Sequence, residues 1–249
     1  MAIGIKSDDE IAAMREAGRI VARILERLAV EVRPGVRTAD LDKACVEELS
    51  RHGVQSSFKG YHGFPAHICT SVNDEVVHGI PGERTLREGD VVSIDVGVVR
   101  NGFQGDAAIT VGVGKISVEA RRLLEVTEGA LGAGIAAAKE NARLGDVSAA
   151  IQGYVESKGF SVVREYTGHG IGREMHEEPQ IPNFGRPGNG PRLRRGMTLA
   201  IEPMVNSGGW NTRVGDDHWT VVTADGSLSA HFEHTVAVTD GEPDILTLV

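Results

Sequence analysis

VVSIDVGVVRNGFQGDAAIT, residues 91–110, reads as two strands of alternating and apolar residues joined at Asn101-Gly102, the dipeptide favoured by a two-residue type I′ hairpin. In such a hairpin Arg100 faces Phe103, so Gly97 lies opposite Asp106 and Asp95 lies opposite Ala108. Asp95 and Asp106 then become diagonal neighbours on one face, about 7–8 Å apart at Cα, with Gly97 leaving open space beside them. A bulge at Gly105 would change that register. Two carboxylates set among Val91, Val92, Ile94 and Val96 repel one another unless they are protonated or neutralised by a cation. Taken alone, the pair also fits a solvated edge face, where hairpin aspartates often lie.

The second half of the chain holds two further acids in strand-like surroundings, Glu202 in TLAIEPMV and Glu233 in HFEHTVAV. Histidine adds a nitrogen donor: His169 stands in TGHGIG, where glycines permit close approach to a site, and His176 follows in MHEEP. Asp, Glu and His together supply oxygen and nitrogen ligands without thiolate, a set that suits Mn²⁺, Fe²⁺, Co²⁺ or Zn²⁺ and does not choose among them. Four carboxylates and one imidazole exceed the needs of a single catalytic zinc and suit a pair of ions about 3.5–4 Å apart. Other motifs are incomplete. HEEPQ at 176–180 lacks the second His of H-E-x-x-H, GVGKIS at 112–117 is only part of a P-loop, and GHGIG lacks the G-x-G-x-x-G spacing.

Outside these segments the pattern is helical. Ser7 and Glu10 form a capping box ahead of Ile11, Met14, Ile20, Val21, Ile24, Leu25 and Leu28. A second helix is expected from a cap near Thr38 to a stop at Gly53, with Leu41, Cys45 and Leu49 buried. The order then repeats: a long helix over about 117–140, a turn at Gly145-Asp146, a shorter helix ending at Gly159, and strand residues 160–163. Gly53 and Gly159 are 106 residues apart, and YHG at 61–63 has a counterpart GHG at 168–170. A duplicated unit is one explanation and ordinary α/β alternation is another. Duplication predicts two sheet halves meeting at a pseudo-two-fold axis where the acids converge.

The 249 residues are 41% hydrophobic, enough for a large core, and suit one domain of two similar halves or two small domains, the former being preferred. A formal net charge of -9 opposes binding to nucleic acid or anionic membrane. No run approaches the roughly 20 apolar residues of a membrane span, and SDDE at 7–10 interrupts anything like a signal peptide, so a cytoplasmic protein is expected. Cys45 and Cys69 are too few for a disulfide framework.

GYHGFP, HGIP at 78–81, the Asp95/Asp106 pair, TGHGIG with HEEP, IEPM and EHTVAVT occur in an order and spacing by which the chain resembles the type I methionine aminopeptidases, over nearly its whole length. The resemblance implies an α+β pita-bread fold, a single catalytic domain over 1–249 with halves of about 7–112 and 117–239. It implies two divalent ions (Co, Mn, Fe(II) or Zn) held by Asp95, Asp106, His169, Glu202 and Glu233. In that family scheme Asp95 grips one ion, Asp106 and Glu233 bridge both, and His169 and Glu202 complete the other. A hydroxide between the ions attacks the first peptide bond, and Glu202 handles the proton. His176 and His78 correspond to histidines that contact substrate near that bond, and Tyr61, Phe64, Cys69, Met175 and Trp219 to the walls of a methionine cleft. The chain departs from the family in carrying Met175 where Phe is frequent, and His231-Phe232 where Gln-Tyr is frequent. Also implied are removal of the initiator methionine ahead of a small second residue, nascent polypeptides as substrates, transient contact with the ribosome, and a monomer. The nearest rival is a proline-specific relative of the same fold, which usually carries an additional amino-terminal domain. A second is a binding protein that kept the fold and lost the chemistry, which retention of all five ligands opposes.

Overall fold

The computed structural model describes residues 3–249. In chain order the first part comprises α1 (Asp8–Glu31), α2 (Thr38–His52), β1 (Gln55–Ser56), a 3₁₀ turn (Tyr61–Gly63), β2 (Cys69–Val72), β3 (Glu75–Val77), β4 (Val91–Arg100) and β5 (Phe103–Gly112). The second part comprises α3 (Val118–Ala137), α4 (Leu144–Ser157), β6 (Ser161–Val162), β7 (Thr167–Gly170), β8 (Glu177–Pro182), β9 (Thr198–Ile201) and β10 (Met204–Asn206). It continues through β11 (Thr212–Val214), β12 (Val221–Thr223), β13 (Ser229–His231), β14 (Glu233–Ala237) and β15 (Asp244–Ile245).

The helix ends follow local chemistry. Ser7 Oγ accepts from the Glu10 N–H at 3.3 Å while Glu10 Oε2 accepts from the Ser7 N–H at 3.0 Å, so the expected capping box opens α1. The expected cap near Thr38 falls at Arg37, whose N–H donates to Asp40 Oδ2 at 3.1 Å, while the Thr38 hydroxyl donates to the Gly82 carbonyl at 3.1 Å. Gly145-Asp146 is likewise the first turn of α4 and not a separate turn: Asp146 Oδ2 accepts from the Arg143 N–H at 2.7 Å and starts the helix. Ser117 caps α3, which stops at Ala137, short of the expected residue 140. The YHG and GHG segments differ in conformation, the first a 3₁₀ turn and the second strand.

The hairpin register is the one derived from the turn. Arg100 pairs with Phe103, Gly97 with Asp106 and Asp95 with Ala108, without a bulge at Gly105. Asn101 (φ 52°) and Gly102 (φ 75°) both adopt the left-handed conformation that a type I′ turn requires. This hairpin sits in a nine-stranded antiparallel sheet of order β1-β4-β5-β14-β9-β7-β8, with β2 on β4 and β15 on β14. β5 from the first part and β14 from the second form its central pair.

The pleat then assigns the two faces. Ile94, Val96 and Val98 of β4 pack against Val21, Ile24 and Leu28 of α1 and Leu41 of α2. Leu199, Ile201 and Val236 pack in the same way against Leu123 and Leu131 of α3 and Val147 and Ile151 of α4. Each such large aliphatic side chain contributes about 1.5–3 kcal/mol on full burial. The residues between them, including Asp95, Asp106, Ala200 and Glu233, therefore face away from the helices.

α1 lies almost directly on β5. A Cβ on Gly105 would stand 2.8 Å from the Gly18 nitrogen and 2.9 Å from the Ala17 carbonyl carbon, so the strand side of that crossing has no room for a methyl group. Gly105→Ala is expected to cost about 1–3 kcal/mol as α1 is forced off the sheet. Urea unfolding should show a lower midpoint with an unchanged slope; an unaltered midpoint would mean that the crossing is loose.

Candidate active site

On the face away from the helices, the register lines up the acids in two neighbouring rows. Asp95 lies opposite Ala108, and Ala108 lies opposite Glu233, so both acids share a face with a small residue between them. The β14–β9 register pairs Thr235 with Ala200 and His234 with Ile201, and one residue beyond that last pair sets Glu202 across from Glu233. In the second row, Gly97 faces Asp106, Thr235 Oγ1 bridges to the Asp106 backbone at 2.8 and 3.2 Å, and Ala200 faces His169. Two rows on four strands and β7 thus bring together all five residues named from the sequence. Alanine and threonine at the intervening positions leave the volume that the polar groups occupy.

Distances agree with a cluster. One ligand atom each from Asp106, His169 and Glu233 all lie within 4.8 Å of one another. His169 Nε2 stands 3.8 Å from Asp106 Oδ2 and 3.5 Å from Glu202 Oε1. Asp95 and Glu202 flank this inner trio. Asp106, His169 and Glu233 are buried, at 3%, 6% and 2% exposure, which removes water as the solvent of their charges.

Burial pushes the Asp95 carboxyl up to about 7. Burial and then the neighbouring carboxylates drive Asp106 and Glu233 well above the ordinary range. Asp95 Oδ1, Asp106 Oδ1 and Glu233 Oε1 are buried without a hydrogen-bond partner. Three orphaned acid oxygens in one pocket are an arrangement that a divalent cation satisfies. The His169 imidazole is oriented to join them as a ligand. Its Nδ1–H donates to the Gly170 carbonyl at 2.9 Å, leaving the Nε2 lone pair toward the acids. The residues present therefore fit a divalent metal centre.

A cavity of about 510 Å³ opens onto this cluster. Tyr61, Phe64, Cys69, Met175, Trp219, His78 and His176 all line it, as do Asp95, Asp106, His169, Glu202 and Glu233. Phe64 and Trp219 meet edge to face, with ring centroids 5.1 Å apart. Cys69 lies directly across from Asp95 on β2, so the apolar walls begin one side chain away from the acids. Burial pushes its thiol, like that of Cys45, well above the ordinary range, which makes both cysteines packing residues. His78 adopts the left-handed conformation (φ 61°) and its ring stands 5.8 Å from that of Tyr166. His176 lies with its ring 4.3 Å from that of His169 and its Nδ1 2.7 Å from Tyr61 Oη.

Sequence reasoning missed Phe58, His62, Tyr166 and Met204, which also line the cavity. Phe58 had a signal in Gly97: a Cβ there would come within 2.8 Å of the Phe58 ring, so the gap beside Asp106 is filled by an aromatic wall. His231, marked in the sequence only as a departure from a family pattern, is buried with Nε2 3.5 Å from Glu202 Oε2.

Residues 12–240 match the model of metallopeptidase family M24. The chain belongs to that family and is a metal-dependent hydrolase of the pita-bread fold. Within it, the chain is 55% identical to the methionine aminopeptidase of Clostridium perfringens over 98% of both chains. The crystal structure of methionine aminopeptidase from Thermotoga maritima superimposes with a TM-score of 0.98 at 48% identity, covering all of both chains. The prolidase from Pyrococcus furiosus shares the fold at a TM-score of 0.81 and 21% identity, matching 98% of this chain and 65% of its own.

Relief of the buried acids predicts a strong metal effect on stability. Saturating Mn²⁺ or Co²⁺ at 100 times its dissociation constant should stabilise chelator-treated protein by about 2.7 kcal/mol. For a chain of this size that corresponds to a rise of about 5–10 °C in Tm. Asp106→Asn should remove most of that rise in the same thermal scan, and a full rise in the variant would place the ions elsewhere.

Proposed function

We propose that this metallopeptidase removes the amino-terminal methionine from polypeptides whose second residue is small. The observation that carries the reading is the junction of an apolar, aromatic-walled cavity with the acid cluster at the Cys69–Asp95 pair. A methionine side chain fits such walls because its thioether packs favourably against aromatic rings such as those of Phe64 and Trp219. Tyr61, Cys69 and Met175 complete that cleft. A chain end seated there has its first peptide bond beside the acids, which makes the activity an aminopeptidase rather than an endopeptidase.

Two divalent ions (Co, Mn, Fe(II) or Zn) would be held by Asp95, Asp106, His169, Glu202 and Glu233. When bound, the ions supply Lewis acidity toward water and the scissile carbonyl. Glu202, at the edge of the cluster and at the cavity wall, is placed to take a proton from the attacking water and deliver it to the leaving amine. His176 and His78 donate hydrogen bonds to the substrate backbone near the reacting carbonyl. Burial lowers both imidazoles, His176 to about 4, so they act there as neutral donors at physiological pH.

We read the chain as one catalytic domain built from two related halves, about 7–112 and 117–239, whose acids meet across the β5–β14 pair. Its setting is proposed to be cytoplasmic, as a monomer that meets nascent chains transiently at the ribosome without binding nucleic acid or membrane. Among the described residues no helix is long and apolar enough to cross a membrane, and the net charge of -9 repels anionic surfaces.

With Mn²⁺, Fe²⁺ or Co²⁺ the protein should release methionine from Met-Ala-Ser and barely from Met-Lys-Ser. Efficient cleavage of Xaa-Pro peptides without methionine preference would replace this reading with a proline-specific one. Glu202→Ala should lower kcat by about 10²–10⁴. His176→Ala and His78→Ala should each lower it by about 10²–10³ while metal content by elemental analysis stays at the wild-type level.

A further inference from the structure

Two imidazoles face one another at the mouth of the acid cluster, and each has its Nδ1 committed to a different kind of partner. His169 Nδ1 meets the Gly170 carbonyl at 2.9 Å. A carbonyl only accepts, so His169 carries its proton on Nδ1 and presents a lone pair at Nε2. His176 Nδ1 meets the Tyr61 hydroxyl at 2.7 Å, with the two rings tilted by 33° and their centroids 5.3 Å apart. A phenol O–H is a stronger acid than a neutral imidazole N–H, and an imidazole lone pair is a stronger base than a phenol oxygen. The bond therefore runs from Tyr61 to Nδ1, and His176 keeps its proton on Nε2. The opposite arrangement would turn an Nε2 lone pair into a cavity already lined by carboxylates.

We propose that Tyr61 is a positioning residue that fixes the tautomer of His176, so that neighbouring imidazoles 4.3 Å apart are set as opposites, His169 as lone-pair donor to a cation and His176 as N–H donor to the reacting carbonyl. This rests on the reading of the site as an aminopeptidase centre, and gives a second role to a residue otherwise assigned to the methionine wall.

Both ends of the bond are anchored separately. Tyr61 opens the 3₁₀ turn, where its N–H donates to the Phe58 carbonyl at 2.9 Å and its carbonyl accepts from the Phe64 N–H at 2.9 Å. That turn joins two aromatic walls of the cavity, so the hydroxyl is placed by the same backbone that shapes the pocket. On the other side, Glu177 Oε1 accepts from the Arg173 and Glu174 N–H groups at 2.9 and 3.3 Å, and its Oε2 pairs with Lys6 Nζ at 2.5 Å. The loop carrying Met175 and His176 is thereby tied down independently of Tyr61.

The test uses full-length protein labelled with ¹⁵N-histidine, loaded with Zn²⁺, and long-range ¹H–¹⁵N NMR spectra in which His176 is assigned by its loss in His176→Asn. Wild type should show the Nε2–H tautomer at His176 and the Nδ1–H tautomer at His169. Tyr61→Phe should erode the preference at His176 alone. The same variant should lower kcat on Met-Ala-Ser by about 10-fold with KM changed less than about 2-fold, smaller than the loss from removing a donor outright. In a His176→Ala background Tyr61→Phe should have no further effect on kcat. An Nδ1–H or doubly protonated His176 in wild type would overturn the proposal, as would a Tyr61→Phe effect that appears in KM alone or adds fully to His176→Ala. Failure of wild type to release methionine would instead sink the aminopeptidase reading, and the spectra would still decide the tautomer.

Discussion

Gathering acid side chains on one buried sheet face is unfavourable until a positive charge joins them, and most of the architecture serves to hold that arrangement in place. Asp95, Asp106 and Glu233 carry buried oxygens with no hydrogen-bond partner, and their carboxyls favour the protonated form. Left in water these groups would ionise and separate. They stay together because each is carried on a strand whose other face is committed to a helix layer, so no acid can move without dislodging core residues such as Ile94, Val96 or Val236.

That commitment explains the distribution of small residues. Ala108, Ala200 and Thr235 separate the polar side chains along the two cross-strand rows, and a larger residue at any of them would fill the space between proposed ligands. Gly105 does the corresponding job on the helix side, letting α1 approach the central strand closely, while Gly18 makes room on that helix for the Leu246 backbone. Phe58 then occupies the gap over Gly97 and turns a vacancy beside the acids into part of an apolar wall. Metal centre and side-chain pocket are thus two uses of one pleated surface, divided at the Cys69–Asp95 pair.

Much of this was legible in the sequence where local rules are stiff. Asn101-Gly102 favours a type I′ turn, and from that turn the pairing of ten residues on each side follows by counting as long as Gly105 forms no bulge, as it does not here. The resemblance to a known family supplied the set of cavity residues, and all of them line one cavity. What local rules could not supply were long-range substitutions of one partner for another. The Thr38 hydroxyl donates to the distant Gly82 carbonyl and leaves the helix cap to Arg37, whereas Asp146, which draws Gly145 into α4, caps its first turn locally and was simply overlooked. The likeness of YHG to GHG was a likeness of letters, since one forms a turn and the other a strand. Tyr166 and Met204 reach the cavity only through tertiary packing, and no spacing in the sequence marks them.

The central proposition is that acids from both parts of the chain and one imidazole enclose two cations. Anomalous diffraction from crystals grown with Mn²⁺, recorded on both sides of the manganese edge, addresses it most directly. Two peaks about 3.5–4 Å apart, bounded by Asp95, Asp106, His169, Glu202 and Glu233, are expected. Peaks confined to other residues, or none at this cluster at saturating metal, would contradict it.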